Sequence, residues 1–300
     1  MMFAQTTGQL WILLAAFLWS LIGIFSKNCL EAGLSPQEIA FWRAALGALC
    51  FLLHAVYRGE LPRFWRHASC FLLFGFWGIG VFFGALQYAI QRSGAATAMM
   101  LLYTAPVWVA VFSRLFFDEK LSPRKILAIL VASWGTALLC LSGGSIPGQT
   151  SLPGILCGLL AGLCYATHYP FCRWWQRFYS TSVIYALMLT GGTLALGLWQ
   201  PRLFVHSAQT WFWLIMLGVV STFFAYLAYG MALKQISLVR AAVTCQLEPV
   251  LGTLWVYLLW QENFTFQGWL GCGLILLSVL WLTISQEKGS AVAERSHPRA

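Results

Sequence analysis

Apolar stretches about 20 residues long recur from one end of the chain to the other, and each has the length a helix needs to cross a bilayer. No backbone group can go unsatisfied in lipid, so a run of this length must close its hydrogen bonds within itself, as a helix does. A membrane barrel would show alternating strands of ~10 residues instead. Ten spans are expected, at 9–26, 36–57, 69–89, 94–116, 124–142, 153–171, 181–199, 211–233, 239–260 and 268–285. The expected fold class is therefore an all-α polytopic membrane protein with ten transmembrane helices. Only 9% of the residues are charged, against about 25% in soluble domains, which excludes an ordinary soluble domain. No Lys or Arg precedes the first span and no clear small-residue cleavage site follows it, so it does not read as a cleaved signal peptide.

The net charge of +9 is explained by orientation and not by nucleic acid. With ten spans both termini share one face, and that face collects thirteen of the eighteen Lys and Arg, against three on the other. By the positive-inside rule both termini are expected in the cytoplasm. No binding to nucleic acid is expected, since the basic residues are spread over loops and not gathered on one face. The nine cysteines lack a CxxC pair, and there is no HExxH, GxSxG or GxxxxGK[ST]. Neither a metal nor any other cofactor is expected, and a membrane enzyme is disfavoured. The tail from 286, QEKGSAVAERSHPRA, has little to bury and is expected to be disordered.

The chain repeats itself. Residues 89–119 lie over 232–262 without a gap, at an offset of 143. Six positions match, among them Pro106 with Pro249 and Glu119 with Glu262. A second echo sets LLAAFLWS (13–20) against LLAGLCYA (159–166). The spans then divide five and five, into 1–145 and 146–285. Because five is odd, the second half enters the membrane from the opposite face. Inverted repeats are a transporter device that places a substrate site near the midplane, between the halves.

The segments LLYTAPVWVAVFSRLFFDEKLS (101–122) and QLEPVLGTLWVYLLWQE (246–262) resemble the paired motifs of the drug/metabolite transporter superfamily, EamA type. The resemblance covers nearly the whole chain. It implies a ten-helix secondary transporter with two inverted five-helix repeats, commonly an exporter of amino acids or related metabolites in the bacterial inner membrane. Relatives on the same frame carry amines, drugs, nucleobases or sugars, so import of another small molecule is an alternative. A polytopic enzyme or a channel is an alternative of a different class. The partners expected are a small-molecule substrate, the lipid bilayer and, as coupling ion, the proton. Two fused repeats can complete a cavity in one chain, so a monomer or weak homo-oligomer is expected.

Several residues stand out against the apolar background. Glu248 is the acidic residue in mid-span, where a carboxylate is costly and functional by default. It can bind a substrate cation, take up a proton or lock helices through a hydrogen bond. A Glu at this place is common in EamA-type sequences with different substrates, which the resemblance ties to a shared mechanical role. Pro106 and Pro249 should break their helices at midplane as hinges, freeing the carbonyls of Leu102 and Cys245. Arg43 can meet a carboxylate, on the substrate or on Glu248, or snorkel to the interface. Tyr103, Thr104, Trp108 and Gln246 are the other midplane candidates of the fourth and ninth spans. Trp19 and Ser20 in the first span face Tyr165 as their repeat counterpart, and His168 follows in the sixth. Tyr88, Tyr226 and Tyr229 complete the set from the third and eighth spans. Gly154, Gly158 and Gly162 share a helix face that permits close packing.

Overall fold

The computed structural model describes residues 2–60, 66–142, 151–199, 207–261 and 264–296. Glu262 and the point at 146 where the halves were expected to join lie outside them. Every element among the described residues is helical. The first span is α1 (Met2–Ser20) continued by α2 (Ile22–Glu31), and the second is α3 (Pro36–Tyr57). The third runs through α4 (Ala68–Gly75), a π turn (Phe76–Val81) and the start of α5 (Phe82–Leu102). Gly94 adopts φ +79° inside α5 and turns the chain into the fourth span, which continues as α6 (Ala105–Phe117). Only glycine takes that backbone angle without a steric penalty. The fifth span is α7 (Pro123–Ser142).

The second half follows the same order. It contains α8 (Leu152–Trp175), α9 (Thr181–Trp199), and α10 (Ala208–Gly218) joined by a second π turn (Val219–Phe224) to α11 (Ala225–Leu233). Then come α12 (Leu238–Cys245), α13 (Leu247–Trp260) and α14 (Phe266–Ser296). Nine helical stretches among the described residues are long and apolar enough to cross a membrane, and Ala105–Phe117 is a shorter apolar helix that completes the fourth span. The ten-span architecture is therefore observed. Helix α14 runs to Ser296, past the last apolar residues of the span.

Both π turns fall at the same repeat offset, Phe76–Val81 over Val219–Phe224. Their spans are continuous in hydropathy, so nothing in the apolar pattern marks the extra residue. The halves interlock rather than sit side by side. Helix α1 of the first half packs on α11 of the second, α3 packs on α9, α5 on α8, and α7 on α14. The largest buried cluster accordingly joins residues of both halves, including Ile12, Trp19, Phe51 and Phe71 with Tyr169, Tyr185 and Tyr229.

Candidate functional site

Two broken helices define the centre of the molecule. A proline removes one helical hydrogen bond and crowds the carbonyl four residues before it, so the chain does best to start a new helix just ahead of it. The breaks accordingly fall at Tyr103–Thr104 and at Gln246, and Pro106 and Pro249 sit in the first turns of α6 and α13. Both prolines thus break their spans, but three residues earlier than the proline itself. Around the first break, Tyr103 N still reaches Met99 O at 2.9 Å, and Thr104 N reaches Leu101 O at 3.2 Å. Thr104 Oγ1 donates to the same Leu101 carbonyl at 2.7 Å, so this side chain serves the break itself.

The breaks meet each other. Gln246 Nε2 donates to Tyr103 O at 3.1 Å, and these two residues are repeat equivalents. Expectation placed the freed carbonyls at Leu102 and Cys245; the carbonyl that gains a cross-repeat partner is that of Tyr103. Helix α8 presses against this point through its glycine face, as expected. A Cβ on Gly162 would lie 2.8 Å from Leu101 O and 3.1 Å from Leu102 O, and one on Gly158 would lie 2.7 Å from Leu101 Cδ1.

Glu248 stands in the first turn of α13, partly buried. Tyr103, Tyr165, Tyr226 and Arg43 lie within its electrostatic reach. Among the described residues none forms an ion pair with it. Arg43 is anchored by neither lipid interface nor Glu248. It is drawn into the second π turn, where Nε donates to Thr222 Oγ1 at 2.9 Å and Nη2 to Ser221 O at 3.4 Å. An arginine prefers this inward course where backbone freed by a π turn offers it acceptors.

Aromatic rings fill the space between. Trp19 packs edge-on against Tyr226 at 5.3 Å and lies 5.4 Å from Tyr229. Tyr229 meets Tyr169 at 5.3 Å, and Tyr169 meets Tyr165 at 5.9 Å. Tyr185 stacks on Tyr226 at 4.4 Å. Three polar atoms in this region, Gln246 Oε1, Trp108 Nε1 and Tyr229 OH, are buried without a hydrogen-bond partner among the described residues. Such orphans are costly, and they are what a bound polar molecule can satisfy. The pocket between Tyr103, Tyr165, Tyr169 and Gln246 measures about 10 Å³, room for a single water.

The remaining candidates have other surroundings. Ser20 Oγ donates to Phe17 O at 2.7 Å and accepts from Trp255 Nε1 at 2.9 Å, tying the first span to the ninth. His168 shares a 2.8 Å hydrogen bond between Nε2 and Gly78 O of the first π turn. Tyr88 does not join the Glu248 region. It is 39% exposed and lines a separate cavity of about 340 Å³ with Gln37, Phe83 and Gln87, at the face opposite the termini.

Sequence reasoning passed over Tyr185, Ser221 and Thr222. Tyr185 lies in a predominantly apolar helix, and the other two matter only because a π turn points them at Arg43. Glu38, in the first turn of α3, is also buried, at 3% exposed.

At the face that carries the termini the halves are tied by charge. Glu119, between α6 and α7, accepts from Ser113 Oγ and Lys125 Nζ, each at 2.7 Å. Burial pushes its carboxyl up, but those two hydrogen bonds and the Lys125 charge outweigh burial and hold it below the ordinary range. Arg173 of α8 and Arg240 of α12 lie within its electrostatic reach, and Arg173 Nη1 donates to Ile236 O at 3.2 Å.

Comparison with known proteins agrees with this architecture. An uncharacterized transporter of Archaeoglobus fulgidus is 27% identical over 274 residues, covering 91% of this chain and 95% of its own. The uncharacterized inner membrane transporter YicL of Salmonella typhimurium is 24% identical over 300 residues, covering 95% of this chain and 98% of its own. The pseudopaline exporter CntI of Pseudomonas aeruginosa is 26% identical over 261 residues, covering 85% and 88%. A crystal structure with a TM-score of 0.81 and 18% identity shares the fold over 95% of this chain and 99% of that one. The model of the EamA-like transporter family matches twice, at residues 6–141 and 152–284, once on each side of the interlocked repeat. With both halves matched in turn, the chain belongs to the EamA-like transporter family.

Proposed function

We propose that this transporter exports a small zwitterionic metabolite, an amino acid or a related compound, across the bacterial inner membrane by alternating access. One observation carries the reading. A fixed cation, Arg43, and a carboxyl group, Glu248, lie within electrostatic reach of each other without pairing, among tyrosines, and Glu248 stands beside the point where two broken helices meet. An ammonium and a carboxylate on one substrate complement that arrangement. Glu248 receives the ammonium or, when the site is empty, a proton; Arg43 receives the carboxylate. Gln246 Oε1, Trp108 Nε1 and Tyr229 OH supply further polar contacts, and Trp19, Tyr103 and Tyr165 form the walls. The hinges are the breaks ahead of Pro106 and Pro249.

The thirteen-to-three bias of basic residues supports termini in the cytoplasm. On that orientation the Glu119 cluster closes the cytoplasmic side, and the 340 Å³ cavity beside Tyr88 lies on the outer side. The name of one relative, a pseudopaline exporter, favours export, and that of another favours the inner membrane. Each half contributes to the site, so one chain is sufficient for transport. Counterflow in proteoliposomes tests the reading. Vesicles loaded with each standard L-amino acid should take up the labelled form of at least one faster than empty vesicles; no exchange with any of them would defeat the substrate assignment.

A further inference from the structure

The two π turns share a geometry but hold different side chains. A π turn inserts one residue into the helical ladder and leaves carbonyl groups without their usual partner. In the first half the carbonyl bonded by a side chain is that of Gly78, and His168 reaches it through Nε2 at 2.8 Å. At the same repeat position in the second half it is that of Ser221, and Arg43 takes it through Nη2 at 3.4 Å. The second turn adds a contact that the first cannot offer, because Thr222 replaces Ile79 at the equivalent position. Thr222 Oγ1 accepts Arg43 Nε at 2.9 Å and donates its own proton to Leu217 O at 2.9 Å. Its orientation is therefore set from the backbone of its own helix, and it sets that of the guanidinium in turn. Ser221 Oγ donates to Leu18 O at 2.7 Å, which anchors the turn against the first span.

Resting on the functional reading above, we infer that Thr222 is the positioning residue for substrate specificity: it fixes the Arg43 guanidinium so that its uncommitted N–H groups receive the substrate carboxylate. An arginine has five N–H donors. Those at Nε and one at Nη2 are taken by the π turn, which leaves Nη1 and the rest of Nη2. Two adjacent nitrogens are the pair that grips a carboxylate in a bidentate manner. A long side chain at midplane would otherwise sample many rotamers, and holding it in advance removes that entropy cost from binding. The turn thus discriminates for a carboxylate and against the same molecule with that group neutralised.

The test uses the full chain in proteoliposomes, with the standard L-amino acids and their α-amides as probes. Wild type should prefer each transported acid to its amide. Thr222→Val keeps the shape and removes both hydrogen bonds; it should raise KM for the acid about tenfold while KM for the amide changes little. Thr222→Ser restores the hydroxyl and should restore the preference. If Thr222→Val impairs acid and amide alike, or neither, the inference falls while the functional reading stands. If wild type moves no amino acid, the functional reading falls and takes this inference with it. A Thr222→Val protein that fails to fold shifts the decision to Thr222→Ser and Arg43→Lys: loss of preference in the second with retention in the first supports the assignment, and any other pattern refutes it.

Discussion

Gly162→Ala should damage the central joint more than any other single methyl group added to α8. The Cβ it introduces would lie 2.8 Å from Leu101 O, 3.1 Å from Leu102 O and 3.1 Å from Thr104 Oγ1, where ordinary contact begins at 3.4 Å. Neither carbonyl can swing away as a flexible side chain would. The helix must retreat by about 0.6 Å at its closest point, a typical overpacking strain of ~1–3 kcal/mol. The Leu101 carbonyl also accepts both bonds from Thr104 that organise the first break, so the displacement reaches the break as well as the packing. Gly252→Ala is the matched control, since a Cβ there meets nothing within 4 Å. It should be neutral or stabilising, by up to about 1 kcal/mol from helix propensity. Thermal unfolding of both variants in detergent, with counterflow rates alongside, reads the difference. If Gly162→Ala proves as stable as Gly252→Ala and exchanges substrate at the wild-type rate, close approach of α8 to the break is not required and the reasoning is wrong.

Three further outcomes are expected. Glu248→Gln keeps hydrogen bonding and loses the charge; it should flatten the pH dependence of transport, and full activity across the whole pH range would rule out proton coupling through this residue. Gln246→Leu orphans the Tyr103 carbonyl and should cost ~1–3 kcal/mol, read as lowered stability towards heat; an unchanged midpoint would mean that the two breaks are not coupled by this bond. Glu119 titrates below its ordinary 4.5 because Lys125 and Ser113 outweigh its burial, so its contribution is complete above 4.5 and disappears as pH falls through the lowered folded value. Glu119→Gln should therefore lose ~1–2 kcal/mol near neutral pH, with the gap to wild type closing under acid conditions; a gap independent of pH would contradict the assignment.

The ten spans could be read from the sequence because lipid makes hydrophobic length and helix nearly synonymous. The repeat could be read because Pro106 and Pro249 are rare events in apolar sequence. Gly154, Gly158 and Gly162 were recognised from their spacing alone. The two π turns were not, since one inserted residue leaves hydropathy unchanged. That gap also hid the destination of Arg43. The sequence offers it a carboxylate or the interface, and the structure adds Thr222 Oγ1 and a backbone carbonyl as acceptors. Tyr88 can be assigned to its span, but the cavity it lines with Gln37 and Gln87 leaves no mark in the sequence. Tyr185 carries no signal of its own, and its contacts with Tyr226, Phe51 and Cys172 are what distinguish it from its apolar neighbours.

The bond from Gln246 to Tyr103 O joins two positions that the repeat treats as the same. If the halves trade shapes during a transport cycle, most contacts of one face become contacts of the other. A contact between equivalent positions is returned to itself, as the fulcrum of a balance stays put while its arms exchange height. Yet the two residues at this fulcrum do not contribute alike, since Gln246 offers its side-chain carboxamide and Tyr103 its backbone carbonyl. The balance is therefore loaded unevenly at its pivot, and the two resting positions of the arms should differ in energy even with nothing on either pan.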